Sequence, residues 1–162
     1  MSIRIAPAIK GIITGTLMIA VTLGIYYSGQ PAGTPLQYTI YGLYGIGIIW
    51  TLIAYRRSDQ FTGKFGDLFM QGFRCFIVVT LMMVAFTFVF NRMHPEFAEE
   101  SAKAYREHLL EQKDKLLPSI DDEVASYQKG YGTVLVYGAI FGYLIIGAGV
   151  TAVVSGILNR RT

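Results

Sequence analysis

Charged and uncharged positions divide the chain into long blocks. Residues 11–55 carry no charged side chain, a run of 45 positions rich in Ile, Leu, Tyr and Gly. One helix of that length would extend about 68 Å, roughly twice the hydrocarbon core of a bilayer. The run contains its own bend. Segment 28–35 holds two prolines and two glycines, and a helix interior does not accommodate them together. Two membrane spans joined by a short hairpin are therefore expected. Two further uncharged runs, 75–91 and 130–159, each supply one more. The expected spans are 9–28, 36–55, 72–91 and 133–157. The fold class is all-α: an integral membrane four-helix bundle, one domain over 1–162, with a helical extramembrane segment at 92–129.

Composition agrees with this pattern. Of the 162 residues, 52% are hydrophobic and 15% charged, a low charge content for a water-soluble domain. The distribution of the charges orients the chain. Arg4, Lys10, Arg56, Arg57, Lys64, Arg74, Arg160 and Arg161 gather at one set of span ends, opposed by Asp59 and Asp67 alone. Segment 92–129 carries six basic and nine acidic residues. The positive-inside bias then places both termini and the 56–71 loop in the cytoplasm. It places 92–129 on the outer side, which in a bacterial cell is the periplasm. Anionic lipid headgroups are the natural partners of the basic ends, and nucleic acid is not required to explain them. The one cysteine, Cys75, excludes an intrachain disulfide and reads as a small buried hydrophobe.

Small residues suggest where helices approach. Gly15, Ala20 and Gly24 in the first span, and Gly138 and Gly142 in the fourth, form faces that let backbones come close in lipid. These two spans are expected to make the closest contacts. In the second span Tyr38, Tyr41, Trp50 and Tyr55 fit interfacial aromatic belts. Tyr44 lies deeper and needs a hydrogen-bond partner. Phe61, Phe65, Phe69 and Phe73 recur every four residues ahead of the third span. They mark an interfacial helix interrupted at Thr62-Gly63 and Gly66.

Segment 92–129 reads as two short helices. Pro95 suits a first helical turn, and 96–117 is rich in good helix formers. Pro118 ends that helix. Ser119 with Asp122 is a capping pair for a second helix running to Gly130. Phe97, Tyr105 and Leu109 lie about two turns and one turn apart, on one side of a helix. They could contact the bundle or a protein partner.

Signals for catalysis are sparse. His94 and His108 stand fourteen positions apart, with no second histidine one turn away from either, so no metal or haem pair is visible. The chain lacks a G-x-S-x-G elbow, a phosphate loop and a Cys-x-x-Cys pair. No enzyme activity and no cofactor are expected. Ionisable groups are almost absent from the spans, where ion and proton pathways would show them. Arg74 is the nearest, and it can snorkel to the surface.

Several short motifs occur in a familiar order. Lys10-Gly11-Ile12-Ile13-Thr14-Gly15 opens the first span and Tyr55-Arg56 closes the second. Phe65-Gly66 and Gly72-Phe73 start the third, and Pro95-Glu96-Phe97 follows it. In this order the chain resembles the bacterial membrane family called domain of unknown function 4199. The resemblance implies a four-span inner-membrane protein and no assigned activity. It also suggests an association with polyprenyl-phosphate sugar metabolism. The expected role is a non-catalytic subunit or scaffold acting through a protein partner in the membrane. The alternative is a small transporter or lipid-handling protein working as an oligomer.

Overall fold

The computed structural model describes residues 6–29, 36–111 and 117–160. Among these residues five helices follow one another: α1 Pro7–Tyr27, α2 Leu36–Arg56, α3 Phe65–Met93, α4 Glu96–Glu111 and α5 Leu117–Arg160. No strand occurs among the described residues. Among the described residues four helices are long and apolar enough to cross a membrane, over Pro7–Tyr27, Tyr38–Arg56, Phe65–Met93 and Pro118–Arg160. Their outward faces are apolar too. Ile46, Leu81, Ile145 and Val153 are all more than 60% exposed, which suits lipid and would be a liability in water.

Local chemistry sets the helix ends. Pro7 occupies the first turn of α1, where its missing N–H costs nothing and its φ is already helical. The chain leaves α1 through Gly29 at φ +68° and enters α3 just after Gly63 at φ +79°. Both lie in the left-handed region that glycine adopts without strain. The Thr62 hydroxyl donates to the Asp67 carboxylate in the first turn of α3, where the helix dipole favours a negative charge. Gly66 does not interrupt the helix as expected; α3 runs through it.

The largest departure is α5. The second short helix and the fourth span are one helix of 44 residues, about 66 Å long. Pro118 lies in its first turn rather than ending a helix before it. Gly130 and Gly132 do not break it either, because an isolated glycine costs a helix only about 1 kcal/mol. At twice the bilayer core, α5 must carry its charged beginning outside the hydrocarbon.

The chain divides into two compact units, Met1–Met83 with Ile140–Thr162, and Val84–Ala139. In the first, α1, α2, the start of α3 and the end of α5 pack around Met18, Tyr44, Ile48, Leu52, Leu68, Cys75 and Val79, all fully buried. Glycines make the close approaches. A Cβ on Gly11 would meet the Cys75 carbonyl, and one on Gly15 would meet Met82. One on Gly47 would land on Thr14, one on Gly72 on Thr151, and one on Gly147 on Tyr44 and Phe76. The buried Tyr44 hydroxyl donates to the Tyr143 carbonyl at 3.0 Å, which supplies the partner its depth requires.

The second unit is held differently. Its core includes Ala102, Leu109 and Ile120. Phe90 stacks on Phe86 at 5.2 Å and on Phe97 at 5.9 Å, and the His94 ring lies 4.5 Å from Phe90. Tyr105 stacks on Tyr127 at 4.5 Å and donates its hydroxyl to Glu123 at 2.8 Å. Arg106 pairs with Asp121 at 3.2 Å. His94 and Glu96 meet at 2.6 Å. The Glu96 backbone N–H and the His94 ring hold the Glu96 carboxyl below the usual carboxylate range.

Candidate functional site

The candidate site grows from the buried face of α1. Lys10, Gly11, Thr14, Gly15 and Met18 share that face, so the helix turns its single charged side chain inward with its small residues. The Thr14 hydroxyl donates to the Lys10 carbonyl at 2.9 Å. Lys10 is only 7% exposed. Its ammonium lies 5.4 Å from the centre of the Trp50 ring, on α2, close enough for cation–π attraction. Among the described residues no carboxylate pairs with it.

The last turns of α2 and the turn after it supply a second wall. Trp50, Thr51, Ala54 and Tyr55 come from the helix, and Arg57, Ser58, Asp59 and Gln60 from the turn. Hydrogen bonds fix that turn. The Ser58 hydroxyl donates to the Tyr55 carbonyl at 2.6 Å, and the Tyr55 hydroxyl to the Gln60 carbonyl at 3.2 Å. The third wall is Gln71 and Arg74 from α3. Together they enclose an open cavity of about 630 Å³ within the first unit.

The wall is basic. Lys10, Arg57 and Arg74 face one carboxylate, Asp59. Guanidinium and ammonium groups recognise phosphate and carboxylate oxygens through charge-assisted hydrogen bonds. The residues that would serve a metal are of another type, and no group of three or more His, Cys, Asp or Glu gathers among the described residues. Cys75 is free and buried, with its Sγ 3.3 Å from Thr51 Oγ1.

The residues expected to serve packing and partner contact fall elsewhere. Gly15 lies at a helix contact, against Met82 of α3 rather than against the fourth span. Ala20 is exposed. Gly24, Gly138 and Gly142 have open space where a Cβ would stand. Spacing by four places small residues on one face but does not say which neighbour that face meets. The glycines at helix contacts that sequence reasoning passed over are Gly47, Gly72 and Gly147 in the first unit and Gly132, against Asn91, in the second. Phe97, Tyr105 and Leu109 are engaged within the second unit. Phe97 stacks on Phe90, Tyr105 on Tyr127, and Leu109 is 2% exposed. An amphipathic helix buries its apolar face in its own hairpin when a neighbouring helix is at hand.

Lys10, Arg57 and Arg74 were legible only as charges of one membrane face. Their convergence was not, although the Gly11/Thr14/Gly15 pattern beside Lys10 carried a signal. A lysine on the small-residue face of a span points into the bundle.

The model of a family described as "Protein of unknown function (DUF4199)" matches residues 10–160. The chain belongs to that family. No curated protein and no solved structure matches it.

Proposed function

We propose that this DUF4199 protein is a lipid-handling membrane protein that holds the anionic headgroup of a lipid in the cavity of Lys10, Arg57 and Arg74. The observation that carries this reading is Lys10, a residue only 7% exposed whose ammonium lies against Trp50 and has no carboxylate partner among the described residues. A buried charge is costly unless something compensates it, and the Trp50 ring compensates only in part. An anion entering the cavity would complete the arrangement. No catalytic step is part of this reading.

The reading takes up the lipid-handling alternative in preference to a subunit or scaffold. The scaffold role drew on Phe97, Tyr105 and Leu109 as partner contacts, and those side chains are occupied within the second unit. The Lys and Arg bias supports an orientation with both termini and the cavity on the cytoplasmic side and 92–129 outside, in the periplasm if the membrane is the bacterial inner membrane that the family resemblance implies. Anionic lipid is abundant at such a surface.

Native mass spectrometry tests the reading. The protein is purified in mild detergent, supplied with equal amounts of phosphatidylglycerol and phosphatidylcholine, and then stripped by collisional activation. The anionic lipid should be retained preferentially, and Lys10→Met should lose that preference. Equal retention of the two lipids by the unaltered protein would refute the reading.

A further inference from the structure

The charge of the cavity says more than that its ligand is an anion. Among the described residues, three cations and one carboxylate line it, Lys10, Arg57 and Arg74 against Asp59. Two positive charges are left over. A phosphodiester headgroup carries one negative charge and would leave one cation uncompensated. A phosphomonoester carries about −1.5 to −2 at neutral pH and offers three strong acceptor oxygens. We infer that the site is built for a phosphate group bearing two negative charges, a phosphomonoester or terminal diphosphate, over a singly charged phosphodiester. This inference rests on the headgroup-binding reading above and specifies its ligand class.

The geometry assigns each cation a part. Lys10 is buried at 7% exposure on α1. It is a compact point charge with three donors, able to meet a phosphate oxygen inside the cavity. Arg57 and Arg74 are exposed, and they reach the cavity from the α2–α3 turn and from α3. Their forked guanidinium groups can each take two oxygens of one phosphate. Three donor groups from three separate elements suit a group with three terminal oxygens. A diester presents only two.

The chain carries its own reporter. Trp50 is the single tryptophan, and it lies against the Lys10 ammonium. A phosphate that draws the ammonium off the indole changes its emission, so every change in tryptophan fluorescence arises at this site.

The experiment titrates the full chain in phosphatidylcholine nanodiscs and follows Trp50 emission. One series carries increasing phosphatidic acid, a monoester, and another phosphatidylglycerol, a diester. A third adds inorganic phosphate to discs without anionic lipid. Phosphatidic acid should bind at least about tenfold more tightly than phosphatidylglycerol, the scale of leaving one cation unpaired. Lys10→Met should remove that discrimination, and Lys10→Arg should restore part of it. Arg74→Gln alters an exposed side chain and should reduce the discrimination without a change in melting temperature, which separates ligand loss from misfolding.

Equal affinity for the two lipids would overturn the inference and leave anionic headgroup binding standing. Inorganic phosphate binding as tightly as phosphatidic acid would support the doubly charged phosphate and remove the lipid from the proposed function. Lipid responses unaffected by Lys10→Met and Arg74→Gln alike would overturn both.

Discussion

The two units of this chain solve the same problem, helix against helix, with different chemistry. In the first unit the contacts are made by what is missing. Gly47, Gly72 and Gly147 lack the side chain that would collide with Thr14, Thr151, and Tyr44 with Phe76. Apart from Tyr44, whose hydroxyl reaches across to the Tyr143 carbonyl, hydroxyls of the packed helices turn back on their own helix. Thr14, Thr51 and Thr80 donate to the carbonyl four residues back. In the second unit the contacts are made by side chains with something to exchange: a tyrosine hydroxyl to a glutamate, an arginine to an aspartate, ring upon ring. Lipid provides no hydrophobic force between helices, so close backbone approach must supply the attraction. An amphipathic hairpin meeting water has that force and adds polar pairs at its margin. The difference teaches where to look for function. Polar groups are ordinary in the second unit. In the first they are scarce, and a charged one turned inward is a functional candidate.

The largest test of the contrast is all-or-none. Cysteines placed at Ser58 and Ser101 in a Cys75→Ala background are treated with an impermeant thiol reagent on intact spheroplasts. Ser101→Cys, on α4, should label and Ser58→Cys, in the α2–α3 turn, should not. Labelling at position 58 alone would put the basic cavity outside and reverse the orientation.

Next in size is a pair of leucines on one helix. Gly147→Leu drives a bulky side chain into Tyr44 and Phe76 and should cost more than the roughly 1–3 kcal/mol of ordinary overpacking, enough to lose the folded protein in detergent. Gly142→Leu, five residues away, meets open space and should melt within a few degrees of the unaltered chain. Equal losses in both variants would mean that glycine absence, rather than contact, governs the packing.

Leu109→Ala tests the second unit. Truncating this buried side chain should cost roughly 2–5 kcal/mol of local stability. Hydrogen exchange should accelerate in α4 and in the first turns of α5, while the amides of α1 and α2 keep their protection. Acceleration throughout would show that the two units do not open separately.

The smallest effect concerns a hydroxyl. Thr151 is fully buried, and its Oγ1 has no hydrogen-bond partner among the described residues. Replacing a buried, unsatisfied polar group by an apolar one of the same shape is neutral or stabilising. Thr151→Val should therefore hold or raise the melting temperature, whereas Thr51→Val, which loses a 2.9 Å bond to Gly47, should lower it by the equivalent of about 1 kcal/mol. A fall for both would give Thr151 a role in binding or folding that the packing does not account for.

Much of this fold was legible in the charge pattern, because a helix cannot hold bare charges in hydrocarbon. The uncharged runs located all four apolar helices, and Gly29 and Gly63 fall in turns between them. What was not legible followed from the limits of spacing. Gly138 and Gly142 share a face, but only the packed structure shows that this face meets open space. Proline and glycine suggested breaks at 118 and 130, yet α5 takes Pro118 in its first turn and runs on through Gly130. The basic cavity was hidden by its own explanation. Lys10, Arg57 and Arg74 are where the positive-inside bias puts cations anyway, so their number carried no signal, and only their convergence on one cavity does.

The central claim is that the Lys10 ammonium is a phosphate ligand. Dipolar recoupling between ¹⁵N-labelled lysine and ³¹P in nanodiscs containing phosphatidic acid measures that contact directly. The account predicts a dephased lysine signal that vanishes in Lys10→Arg and is recovered nowhere else in the lysine spectrum. A lysine signal with no dephasing, or one that survives that substitution, would contradict it.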